Sequence, residues 1–266
     1  MSGRDSFVAI GDLTVRCRID GPDAAPWLVF SNSLMTDLTL WDDQVAALCD
    51  RFRILRYDQR GHGETDVPAR PADFDGLAQD LAMLLDRVAI DRAIVVGVSM
   101  GAVTALRLAA LHPKRVRGLV LSDGNAATAP GGAVAWDERI AIAAAGGMAA
   151  LVEPTVGRWF TRASLAANGG ALNKVRDMIR RTPFDGFVRA AAALQDFDFR
   201  ADLGRIACPA LLIAGAADGA LPVTMRQMAD AIPGARFTVI DAAGHLPNIE
   251  QPAAFTHALA GFLDEI

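Results

Sequence analysis

Six short apolar runs bounded by turn-forming residues punctuate the chain, at 27–30, 52–57, 94–98, 118–121, 210–214 and 237–240. Runs of this length with little polar alternation are what strands buried on both faces require. Segments 7–10 and 13–20, separated by Gly11-Asp12, read instead as an opening hairpin, because Gly and Asp supply the backbone conformations of a tight turn. Helical patterns lie between the runs, at about 42–49, 77–88, 102–111, 223–231 and 253–263. Strand and helix therefore alternate, and the predicted fold class is α/β: a mostly parallel twisted sheet of about eight strands flanked by helices, with an antiparallel edge formed first.

Segment 126–199 breaks the alternation. It carries helical patterns and no convincing strand between two predicted core strands. Its alanine-rich stretches 140–145 and 189–194 favour helix, while Gly146-Gly147, Gly169-Gly170 and Thr182-Pro183 divide it into pieces. The predicted organisation is a core built from 1–125 and 200–266, with 126–199 inserted as a helical cap. Ligands of open α/β sheets bind at the carboxyl ends of the strands, so a cap inserted on that side is expected to shape the substrate pocket.

Composition narrows the class. The 266 residues are 52% hydrophobic, 6% aromatic and 21% charged, which excludes a disordered or fibrous chain. A domain of this length buries about three quarters of the surface its unfolded chain exposes. The net charge is −5 and the arginines are scattered, so neither nucleic acid nor an anionic membrane is expected as a partner. Cys17, Cys49 and Cys208 are odd in number and lack metal-ligand or CxxC spacing, and read as buried thiols in a reducing compartment. The opening residues Met1 to Ser6 contain no apolar signal core and no later run is clean enough to span a bilayer, so a soluble, cytoplasmic protein is expected.

The candidate chemistry begins at Gly97-Val98-Ser99-Met100-Gly101, between an apolar run and a helical pattern. A serine on so tight a strand-to-helix turn is a nucleophile elbow, with glycines where side chains would collide. A serine hydroxyl needs a base, and a histidine supplies one when a carboxylate orients its ring. Asp218, in Gly215-Ala216-Ala217-Asp218, follows a predicted strand and is the acid candidate, favoured on chain order over Asp123, which follows another. His245, in Ala243-Gly244-His245-Leu246-Pro247, is the candidate base. His112 reads as a helix-end residue, His257 as exposed, and His62 as bonded to its own loop. Stabilisation of the oxyanion is assigned to the Met100 N–H at the helix start and the Leu34 N–H in Ser31-Asn32-Ser33-Leu34-Met35. No phosphate-cradling glycine loop is present and the four histidines do not cluster, so neither cofactor nor metal is expected.

With elbow, acid, base and oxyanion loop in this order, the chain resembles the α/β-hydrolase superfamily over nearly its full length. Asn32-Ser33, in place of the usual His-Gly, is similar to the 3-oxoadipate enol-lactonases, as are Arg56-Tyr57-Asp58-Gln59-Arg60-Gly61-His62-Gly63, Arg158-Trp159-Phe160-Thr161 and Asn248-Ile249-Glu250. Three positions depart from that pattern: Met35 replaces a typical glycine, Ala102 a second glycine, and Ser122-Asp123-Gly124-Asn125 differs. The resemblance implies a serine hydrolase that opens a small carboxylate-bearing enol-lactone through an acyl-enzyme, in the bacterial breakdown of aromatic acids. Such a substrate calls for a cation, offered by Arg139, Arg158, Arg162 or Arg189, and Met35 is expected to narrow the pocket. Trp136, Trp159 and Phe160 either line an apolar wall or pack the cap onto the core. Alternatives on the same fold are a broader carboxylesterase or lactonase, a carbon–carbon bond hydrolase, and a receptor-like ligand-binding protein.

Overall fold

The structure, a computed structural model, describes residues 3–69, 71 and 73–266. Met1 and Ser2, which begin the segment read as lacking a signal core, lie outside them. Among the described residues the strands are β1 (Asp5–Ile10), β2 (Leu13–Asp20), β3 (Trp27–Ser31), β4 (Arg53–Tyr57), β5 (Ala93–Val98), β6 (Val116–Ser122), β7 (Ala210–Gly215) and β8 (Arg236–Ile240). They form one sheet in the order β1-β2-β4-β3-β5-β6-β7-β8. β1 pairs β2 and β2 pairs β4 antiparallel, and every other pairing is parallel. The hairpin predicted from Gly11-Asp12 is the antiparallel edge.

Successive side chains of a strand point to opposite faces, and the interior strands bury both. In β5, Ile94, Val96 and Val98 belong to one apolar cluster while Ala93 and Val95 belong to another. β3 divides in the same way, Leu28 and Phe30 against Val29. Helices α1 (Asp42–Leu48) and α11 (Pro252–Leu263) add Val45, Leu48, Phe255 and Phe262 to the first cluster. Helices α2 (Phe74–Arg87), α3 (Met100–Leu111) and α9 (Leu221–Ala231) add Leu81, Leu106 and Met225 to the second. The short α10 (Pro247–Glu250) precedes α11.

Between β6 and β7 the chain forms α4 (Gly132–Gly146), α5 (Val152–Trp159), α6 (Arg162–Ala167), α7 (Gly170–Arg181) and α8 (Phe184–Gln195). Three of the four breaks fall at the glycines and proline that interrupt the sequence pattern, Gly147, for instance, ending α4 with φ 70°, while the break between α5 and α6 falls at Phe160-Thr161, where Thr161 caps α6. An isolated bridge between Ala127 and Asp198 draws the two ends of the insertion together. Ala143, Leu151, Val156, Leu172 and Phe187 join the first cluster, so the inserted helices share a continuous apolar core with the sheet. No helix among the described residues is long and apolar enough to cross a membrane.

Phe30 is fully buried in that core and stacks on Trp41, with ring centroids 4.6 Å apart. Phe30→Ala is expected to remove about 3–5 kcal/mol of stability, read as a lower urea midpoint with an unchanged denaturant slope.

Candidate active site

Ser99 is the single residue between the end of β5 and the start of α3, with φ 55° and ψ −119°. Its N–H donates to the Ser122 carbonyl at 2.8 Å, which ties the turn to the neighbouring strand. The reversal brings backbones into contact. A Cβ on Gly97 would lie 2.1 Å from the Gly101 carbonyl oxygen, and one on Gly101 would lie 2.2 Å from that of Ser31. Neither obstacle is a flexible side chain, so glycine is required at both positions. A non-glycine residue in this conformation costs about 1–3 kcal/mol, which the surrounding pairing offsets.

The Ser99 hydroxyl lies 2.8 Å from His245 Nε2, and His245 Nδ1 lies 2.7 Å from Asp218 Oδ2. One tautomer satisfies both bonds: Nδ1–H donates to Asp218, leaving Nε2 to accept the serine hydroxyl. Asp218 follows β7 in a turn closed by its own N–H to the Gly215 carbonyl at 3.0 Å. His245 is held from the inserted helices as well as from the core. Its N–H donates to the Trp159 carbonyl at 2.7 Å, and the Trp159 ring stacks on the imidazole with centroids 5.6 Å apart. Glu250 accepts from the Gly244 N–H at 2.5 Å through one carboxylate oxygen, and from the Thr161 N–H at 2.9 Å and hydroxyl at 2.8 Å through the other. Two separate stretches noted in the sequence, 158–161 and 248–250, thus meet around the histidine loop.

These three residues open onto a cavity of about 410 Å3 lined also by Leu34, Trp136, Arg139, Arg158 and Trp159. Neither arginine has a carboxylate partner among the described residues; Arg139 instead lies over the Trp136 ring at 4.3 Å. Burial, and then repulsion from Arg158, lowers the Arg139 pKa to about 10. Surrounding protein also lowers that of Arg158, against the attraction of Asp218. Met100 is the first residue of α3, where backbone N–H groups have no partner in the preceding turn. The loop carrying Leu34 is fixed through Asn32, whose side chain donates to the Tyr57 carbonyl at 2.8 Å and accepts from the Trp41 indole at 3.0 Å. Gln59 donates to the Asn32 carbonyl at 2.6 Å.

Several sequence expectations need correction. Met35 is fully buried in the apolar core and does not line the cavity. It turns with φ 59°, and the residue that borders the cavity from this loop is Leu34. Phe160 likewise packs into the core instead of forming a wall, since α5 ends one residue earlier at Trp159. Arg162 is exposed on α6 and Arg189 is half-buried on α8, and neither borders the cavity. Asp123 borders it but does not bond the histidine. His62 is buried and its Nδ1 meets the Arg60 carbonyl at 3.0 Å, within its own loop. Sequence reasoning missed the role of Glu250 as a tie between loops, for which carboxylate identity alone gave no signal. It also missed the cavity walls Val103, Thr128, Leu194 and Phe197, which come from three separate segments. Among the described residues no group of His, Cys, Asp and Glu side chains is placed to hold a metal ion.

Residues 26–252 match the alpha/beta hydrolase fold family. The chain is 38% identical to 3-oxoadipate enol-lactonase 1 of Acinetobacter baylyi, over 95% of this chain and 94% of that protein. It superposes on the crystal structure of the enol-lactonase from Burkholderia xenovorans LB400 with a TM-score of 0.93, at 38% identity, covering 97% of this chain and all of the other. It is also 32% identical, over 90% of its length and 94% of the relative's, to a Pseudomonas savastanoi protein named as a carbamate hydrolase, RutD. An eight-stranded sheet with this elbow, this order of elements and relatives that are hydrolases has one reading: the chain belongs to the α/β-hydrolase fold family.

Proposed function

We propose that this chain is a serine hydrolase that opens a small enol-lactone bearing a free carboxylate, of the kind named in its enol-lactonase relatives. The observation that carries the reading is the Ser99–His245–Asp218 chain of hydrogen bonds facing a cavity that holds two arginines without carboxylate partners. In this mechanism His245 Nε2 takes the hydroxyl proton as Ser99 Oγ attacks the lactone carbonyl, and Asp218 stabilises the imidazolium that forms. The oxyanion accepts hydrogen bonds from the Leu34 and Met100 N–H groups, each worth about 3–4 kcal/mol in the transition state. Collapse expels the ring oxygen as an enolate, which takes up a proton and becomes a ketone. Water, activated by the same imidazole, then releases the acyl group from Ser99.

The inserted helices act as a cap over this site. Arg139 on α4 and Arg158 on α5 receive the substrate carboxylate, since a cation left unpaired in a partly enclosed cavity gains most from an anionic ligand. Trp136 and Trp159 supply the apolar wall. A neutral ester would use the same serine and histidine but leave the arginines unsatisfied.

Purified protein is expected to open 3-oxoadipate enol-lactone much faster than a short-chain aryl ester. Ser99→Ala should lower kcat by at least about 10⁴-fold on both. Ester turnover without lactone opening would retain the nucleophile and discard the substrate; saturable binding of the lactone without turnover would favour a receptor. Arg139→Gln and Arg158→Gln are each expected to raise KM for the lactone about tenfold or more, the worth of a lost charged hydrogen bond, with a smaller effect on the neutral ester.

A further inference from the structure

Three consecutive residues lead from β8 into the site, and each has a backbone group bonded outside its own loop. The Ala243 carbonyl accepts from the Ala217 N–H at 2.8 Å, one residue before Asp218. The Gly244 N–H donates to Glu250 Oε2, and the His245 N–H donates to the carbonyl of Trp159, the last residue of α5. Gly244 leaves no slack between these ties, because a Cβ there would lie 2.3 Å from the Trp159 carbonyl oxygen and 3.1 Å from Glu250 Oε2. The peptide units entering His245 therefore have one orientation.

Glu250 completes the arrangement from the end of α10. Its Oε1 accepts from the Thr161 N–H at 2.9 Å and the Thr161 hydroxyl at 2.8 Å. That hydroxyl oxygen also accepts from the Ser164 N–H at 3.2 Å as the cap of α6, so the anchor is itself fixed. The donors to Glu250 are two amides and a hydroxyl, all neutral, and hydrogen bonds to a charged acceptor are shorter and stronger than neutral ones. A carboxylate accepts on both oxygens. A carboxamide accepts on one and presents N–H groups on the other, so glutamine would keep one side of the tie and set donor against donor on the other.

We propose that Glu250 is a positioning residue of the hydrolytic site: it fastens the amide of Gly244 to Thr161 of the inserted helices and so holds the imidazole where Nε2 meets Ser99 and Nδ1 meets Asp218. Glu250 does not border the cavity, so it acts through His245 and not on substrate. Its place is distinct from that of Arg158, which faces the cavity from the same helix that ends at Trp159. Loss of Glu250 therefore acts on the chemical step, and loss of Arg158 on binding. The effect on rate rests on the serine-hydrolase reading; the tie between the loops does not.

The test compares wild type, Glu250→Gln, Glu250→Ala and Thr161→Val on a short-chain aryl ester. Rates are taken per reactive serine, counted by stoichiometric labelling with an aryl phosphonate, so that a misfolded fraction does not enter. Glu250→Gln is expected to lower kcat about tenfold and Glu250→Ala about a hundredfold, the scale of a slightly misplaced catalytic group, with KM within a factor of about two of wild type. The second reading is the pair of His245 imidazole ¹⁵N resonances, assigned by their loss in His245→Ala. In wild type they should show a proton fixed on Nδ1, and in both Glu250 variants they should move toward the values of an imidazole that averages its two tautomers. Thr161→Val, which removes only the hydroxyl bond, should move them in the same direction by less. Unshifted resonances, or a loss confined to KM, would overturn the proposal. If wild type neither takes the phosphonate nor turns over the ester, the serine-hydrolase reading fails and the resonances alone decide whether Glu250 positions the imidazole. If the Glu250 variants do not fold, Thr161→Val decides by the same two readings.

Discussion

Ser99 stands clear of the sheet because the start of α3 is pressed against the loop leaving β3, with only glycine hydrogens between the two backbones. Much of the site follows from that contact. The β3 loop cannot retreat, since Asn32 is bonded to Tyr57, Trp41 and Gln59. Gln59 in turn accepts from Thr104 of α3 at 3.2 Å, so loop and helix are braced against one another on both sides of the serine. Local strain at one residue is thereby held by ordinary hydrogen bonds at its neighbours.

The histidine arrives by a different route. Its loop leaves the last strand of the sheet, yet it is fastened to the inserted helices through Trp159 and, by way of Glu250, through Thr161. Gly244 makes the approach possible, because a Cβ there would lie 2.3 Å from the Trp159 carbonyl oxygen. Movement of α5 is therefore mechanically coupled to the imidazole. A helix that lines the pocket also sets the geometry of the imidazole.

Charge is arranged with the same economy. Most arginines of the chain are matched: Arg56, itself buried, is within 2.8 Å of Asp20 and 2.6 Å of Asp42, and Arg60 is clasped by Asp80. These pairs lock the 56–63 segment beneath the site, where removing one partner would leave a buried charge exposed to a low-dielectric interior. Arg139 and Arg158 stand out because the cavity offers them no such partner. Asp218 is a local source of negative charge toward Arg158.

Much of this was legible in order along the chain. Apolar runs bounded by turns mark six of the eight strands, the turn chemistry of Gly11-Asp12 marks the other two as a hairpin, and Gly97, Ser99 and Gly101 mark the elbow by local sterics alone. Serine, aspartate and histidine could be nominated because each follows a strand and so reaches the same edge of a parallel sheet. The lining of the cavity was not legible. Of four arginines offered by the inserted segment, Arg139 and Arg158 face the site while Arg162 and Arg189 do not, and Met35 and Phe160 are swallowed by the core. Local spacing specifies which face of a helix is apolar, but which other element covers that face depends on packing between segments far apart in sequence. For the same reason the sequence determined the fold, the elbow and the order of the chemical groups, while only the tertiary structure decided which cations stay unpaired and which side chains wall the cavity.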